Sequence, residues 1–125
     1  MANPQGGIPP QIQQQLAMFQ QIQQQLQQVS SQKMQYEMTL RETKRALEEL
    51  DAVADDAVVF SSAGSILIQK NKAAVITDLQ EKVDSMELRI GSLDKQEKTM
   101  TAKASQLQKQ IQEAVAGQGN VPTAQ

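Results

Sequence analysis

The stretch Asp55-Asp56-Ala57-Val58-Val59-Phe60-Ser61-Ser62-Ala63-Gly64-Ser65-Ile66-Leu67-Ile68 decides how the chain folds. Val58-Val59-Phe60 and Ile66-Leu67-Ile68 are short β-branched and aromatic runs. Between them lies Ser61-Ser62-Ala63-Gly64-Ser65, the strongest turn signal in the interior. Two such runs around a small-residue turn predict a β-hairpin over 57–69. Alternation centred on Ala63 groups Val58, Phe60, Ile66 and Ile68 on one face, with Val59 and Leu67 on the other. Both faces are then apolar. A lone two-stranded hairpin is marginal in water, and the chain has no spare segment to cover it. The expected cover is the hairpins of other subunits, closing a sheet or barrel.

On either side of the hairpin the apolar period changes from two to that of a heptad. The first segment opens at Pro9-Pro10, where a proline in the first helical turn loses no hydrogen bond, and predicts a helix over about 9–51. Its stripe is Ile12, Leu16, Phe19, Ile22, Leu26, Val29, Lys33, Tyr36, Leu40, Thr43, Leu47 and Leu50, with one slip of spacing near Phe19. The second predicts a helix over 71–116, from an Asn71 N-cap to a stop before Gly117. Its stripe is Ile76, Leu79, Val83, Met86, Ile90, Leu93, Glu97, Met100, Ala104, Leu107, Ile111 and Ala114.

The two stripes share a phase as well as a period. Leu50 with Ile76, Leu47 with Leu79, Leu40 with Met86, Leu26 with Met100 and Phe19 with Leu107 all have residue numbers totalling 126. A constant total is the signature of one chain folding back on itself. It predicts a long antiparallel two-helix coiled-coil hairpin in an all-α dominated subunit occupying 1–125, with tails at 1–8 and 117–125.

Composition narrows the function. The 125 residues contain no Cys and no His, which removes disulfides, thiolate nucleophiles, imidazole bases and the commonest zinc ligands. No catalytic residue, metal site or cofactor is expected, and the chain does not read as an enzyme. Aromatic residues make up 2%, and the formal charge of −2 offers no electrostatic footprint for nucleic acid or an anionic membrane. No apolar run approaches the roughly 20 residues of a membrane span, and the start Met-Ala-Asn-Pro-Gln-Gly-Gly lacks the form of a signal peptide. A soluble, cytoplasmic protein is expected.

Asp55-Asp56 has no third ligand or base nearby and reads as a helix-terminating turn. Gly117-Gln118-Gly119 has no preceding strand and does not read as a phosphate loop. Among the methionines, Met86 and Met100 fall on the seam, whereas Met18, Met34 and Met38 fall beside it. Lys33 and Glu97 form polar seam layers one heptad step apart, suited to fixing register or to a diagonal ion pair.

Charge placement is the most unusual feature. Residues 1–32 contain no charged side chain, and Gln fills twelve of the twenty-two positions 11–32. Folding back sets this stretch beside Gln106, Gln108, Gln110 and Gln112, far along the helices from the β-hairpin. Ile8, Ile12, Leu16, Met18, Phe19, Leu107, Ile111 and Val115 dot the same end. Two readings stand open, helical filler of low complexity and a weakly adhesive tip for apolar partners.

The layout resembles the beta-type subunits of the prefoldin family. The marks are Asp55-Asp56-Ala57-Val58-Val59-Phe60, the small-residue turn, Ile66-Leu67-Ile68, a heptad helix with Leu88-Arg89-Ile90 and Gln96-Glu97-Lys98, and the Pro-Pro-Gln start. About 20 residues separate the helices, room for the single hairpin of a beta type rather than the two of an alpha type. The resemblance implies an archaeal-type heterohexamer of two alpha-type subunits and four beta copies, its hairpins closing a β-barrel platform from which coiled coils hang. It implies ATP-independent holding of unfolded polypeptides and their transfer to a group II chaperonin. Carried onto this chain, assembly falls on Val58, Val59, Phe60, Ile66, Leu67 and Ile68, and client binding on the tip residues named above. The Gln run departs from the family pattern and leaves apolar and polar capture both open. A structural coiled-coil tether without chaperone activity is the competing expectation, and it does not account for a two-faced apolar hairpin.

Overall fold

The computed structural model describes residues 8–123, in the order α1 (Pro10–Asp51), β1 (Val59–Ala63), β2 (Ile66–Lys70) and α2 (Lys72–Thr123). Residues 1–7 of the expected first tail, and 124–125 of the second, lie outside this range.

α1 starts where Pro10 dispenses with an N–H that would have no partner, and the Pro9 carbonyl accepts from the amides of Ile12 and Gln13, both at 3.0 Å. It ends in a tightened turn, Ala52 N–H to the Glu49 carbonyl and Val53 N–H to that of Leu50. α2 is capped as expected by Asn71, whose Oδ1 accepts from the Ala74 amide at 2.7 Å. Its other end differs from expectation. The helix runs through Gly117 to Thr123 instead of stopping at residue 116. Gly64 is the only described residue with positive φ, so Gly117 does not form a left-handed cap. A helical glycine costs about 1 kcal/mol against Ala but does not by itself end a helix, and Ala114 and Ala116 beside it favour continuation.

The chain divides into two compact units, a terminal one of Met1–Ser31 with Asp94–Gln125 and a central one of Gln32–Leu93. In each, an α1 segment pairs antiparallel with an α2 segment. Within the terminal unit Ile12, Val29 and Ala104 are buried and the other stripe residues half-buried. The Ser30 hydroxyl donates to Glu97 Oε2, so this charged seam position is satisfied by its neighbour across the layer. Gln15 is the exception. The slip near Phe19 brings Leu16 onto the stripe, while the constant total of 126 puts Gln15 opposite Ile111, and the Gln15 Oε1 is buried without a hydrogen-bond partner among the described residues.

Within the central unit Thr43, Met86 and Leu93 are buried, and the rest of the stripe is half-buried. The Thr43 hydroxyl donates to the Thr39 carbonyl at 2.8 Å, which satisfies a polar group inside the seam. Arg89 lies 5.7 Å from the centre of the Tyr36 ring and donates to its hydroxyl at 2.9 Å. Lys44 pairs with Glu87 at 3.3 Å.

The strands pair antiparallel as Val59 with Lys70, Phe60 with Gln69, Ser61 with Ile68, Ser62 with Leu67 and Ala63 with Ile66. This corrects the expected register. The totals are 129 rather than 126, and because the difference is odd the faces are regrouped. Phe60 and Leu67 share one face, while Val59, Ile66 and Ile68 share the other. The turn residues are Gly64 and Ser65, with φ of 64° at Gly64, the positive value that a type II′ turn needs at its first central position. The turn thus sets the centre of the strands, and the heptads set that of the helices. Connectors of unequal length, 52–58 on one side and Asn71 alone on the other, absorb the offset.

Candidate interaction surfaces

The hairpin is short of cover on both faces. Val58, Phe60, Ile66, Leu67 and Ile68 are between 44% and 69% exposed, and Val59 is half-buried. The sheet has two strands only, so each has one outer edge whose backbone groups lack a strand partner among the described residues. Five exposed apolar side chains and two open edges in the thirteen residues 58–70 form a surface built for other strands.

Lys72 anchors the hairpin to the helices. Its ammonium donates to the Val53 carbonyl at 2.8 Å and to Asp55 Oδ1 at 3.1 Å, with the lysine side chain only 11% exposed. It thereby satisfies a carbonyl just beyond the C-terminal turn of α1 and holds the 52–58 connector. Asp55 serves this anchor, consistent with the structural role expected of the Asp pair. Lys70 pairs with Asp78 at 3.1 Å at the other foot of the hairpin. A shallow groove of about 500 Å³ runs past Asp56, Val58 and Gln69. Among the described residues no three of His, Cys, Asp and Glu gather as metal ligands, and no helix is long and apolar enough to cross a membrane.

The terminal unit holds the eight apolar residues expected at the tip, and it sorts them. Ile12 is 5% exposed and belongs to the seam. Leu16, Phe19, Leu107 and Ile111 are half-buried seam residues, while Ile8, Met18 and Val115 are exposed. Met18 and Leu107 come together in an open groove of about 440 Å³, with Ile22 and Met100 as the rest of its floor and Gln25, Lys103, Gln106 and Gln110 along its sides. Ile22 and Met100 were legible in the sequence only as seam residues. The slip of spacing at Phe19 is the one sequence signal that the seam is irregular here. Met34, Met38 and Leu88 are exposed in the central unit, Leu88 most of all at 76%.

Residues 13–118 match the family model described as prefoldin subunit. The chain is 43% identical over 110 residues to the prefoldin subunit beta of Methanospirillum hungatei, covering 88% of this chain and 92% of that protein. It is 42% identical over 112 residues to that of Methanococcoides burtonii, covering 90% and 96%. The crystal structure of the prefoldin beta subunit from Thermococcus strain KS-1 superposes with a TM-score of 0.80 at 38% identity, over 92% of this chain and 97% of that one. Two heptad helices joined through one apolar β-hairpin, with relatives matched along nearly their whole length, place this chain in the prefoldin family as a beta-type subunit.

Proposed function

We propose that the chain works as a beta-type subunit of an ATP-independent holdase, a chaperone complex that binds unfolded polypeptides and passes them to a group II chaperonin in the cytoplasm. The observation that carries this reading is the hairpin, whose two exposed apolar faces and two open edges call for strands from other subunits. Alpha-type subunits and further copies of this chain supply them, in a hexamer of two alpha and four beta, and the hairpins close the platform. Client capture falls to the exposed and half-buried apolar residues of the terminal unit, Ile8, Leu16, Met18, Phe19, Leu107, Ile111 and Val115, with Ile12 contributing through the seam beneath them. Neither catalysis nor a cofactor is part of this role.

The test is suppression of light scattering by a denatured protein in the presence of the reconstituted complex, without nucleotide. Removing residues 1–15 and 112–125 should leave the hexamer intact and sharply reduce protection. Full protection by the truncated hexamer would move capture to another surface. No protection by the intact complex at any ratio would favour a tether.

A further inference from the structure

The groove of the terminal unit combines an apolar floor with an ammonium that has no counter-charge. Met18, Ile22, Met100 and Leu107 form the floor, the amides of Gln25, Gln106 and Gln110 stand along the sides, and Lys103 is the only charged lining residue. α1 cannot supply a carboxylate there, because the chain carries no charge before Lys33. Nor can α2 from its own turns, since Thr99, Met100, Gln106 and Leu107 occupy the positions three and four residues from Lys103. Of the three acidic side chains in this unit, Asp94 pairs with Lys98 at 3.2 Å, Glu97 accepts from Ser30, and Glu113 lies ten residues along α2 from Lys103, about 15 Å at the helical rise. Lys103 makes no ion pair among the described residues.

We propose that this groove takes a short extended segment of unfolded polypeptide in which apolar side chains flank one carboxylate, and that Lys103 selects the carboxylate. This rests on the holdase reading and specifies its client chemistry. On α1 the groove runs from Met18 to Gln25, about 11 Å at the helical rise, room for about three extended residues. Primary amides both donate and accept, so Gln25, Gln106 and Gln110 match peptide groups whatever the sequence. The floor holds apolar side chains non-directionally. Lys103 adds the one discriminating contact, a solvent-exposed ion pair that salt screens.

The test uses the reconstituted complex and two fluorescein-labelled peptides, Gly-Leu-Leu-Glu-Leu-Gly and Gly-Leu-Leu-Gln-Leu-Gly, with acetylated N-termini and amidated C-termini, read by anisotropy. The Glu peptide should bind more tightly by up to about fivefold, the upper end for an exposed ion pair, and 0.5 M NaCl should erase the difference. Lys103→Gln should abolish the preference, and Lys103→Glu should reverse it. Met18→Gln, at an exposed position, should weaken both peptides and keep the preference. Equal binding of the two peptides by the unaltered complex, or a preference that survives Lys103→Gln, overturns the proposal while aggregation suppression by the same complex leaves the holdase reading standing. A complex that protects no denatured protein overturns both.

Discussion

Replacing Phe60 and Leu67 together by Thr removes most of one apolar face of the hairpin while keeping residues that favour strands. The two side chains are 56% and 69% exposed in the isolated chain. If assembly buries that remainder, and full burial of such a side chain is worth roughly 1.5 to 3 kcal/mol, the pair contributes about 2 to 4 kcal/mol per hairpin. At 1.4 kcal/mol per tenfold, association should weaken roughly 30- to 700-fold for each contact. Sedimentation velocity at micromolar concentration, with an alpha-type partner present, should show the hexamer replaced by small species. Helix content by circular dichroism should stay unchanged, because neither residue touches the seams. Ile66→Thr with Ile68→Thr strips the opposite face and should act comparably, since closure has to cover both. Assembly with the unaltered midpoint in either double variant would refute the reasoning and assign cohesion to the helices.

Three further outcomes check the packing. Cysteines at Leu26 and Met100, a seam pair of the terminal unit, should oxidise to an intramolecular disulfide visible by mobility shift, whereas cysteines at Leu26 and Leu79 should not. Lys72→Met leaves the Val53 carbonyl without its charged donor and should cost about 1 to 3 kcal/mol in thermal unfolding, with faster amide exchange across 52–57. Asp55→Asn, at a fully exposed carboxylate, should leave unfolding nearly unchanged. Gln15→Leu removes a buried oxygen without a partner and should raise stability by about 1 to 3 kcal/mol, and a lowered melting temperature would show that the amide is satisfied in solution.

The helical seams were legible because heptad spacing responds to one physical demand, burial along a stripe, and every stripe residue from Ile12 to Leu50 and from Ile76 to Ala114 is at least half-buried. The strand register was not. Extending the total of 126 into the hairpin assumed connectors of equal length, whereas Gly64 sets its own centre and the 52–58 connector takes up the difference. Gly117 misled in a similar way, since a glycine near a helix end marks a stop only if it adopts positive φ. Lys72 carried no signal, because nothing in a lysine at a helix start announces that its ammonium reaches back to Val53. Ile12 falls both on the seam stripe and at the tip, and its burial bears out the seam placement.

The constant total that pairs Leu26 with Met100 in one unit and Leu40 with Met86 in the other also governs how such a gene can lengthen or shorten. Seven codons inserted into α1 alone would slide every layer on their far side past its partner. The same insertion matched by seven at the facing point of α2 would add two complete layers and disturb nothing else. Insertions and deletions among homologues are therefore expected as mirrored pairs about the hairpin, in whole heptads. Single-residue changes should collect in the 52–58 connector, the stretch that neither the seams nor the strands count.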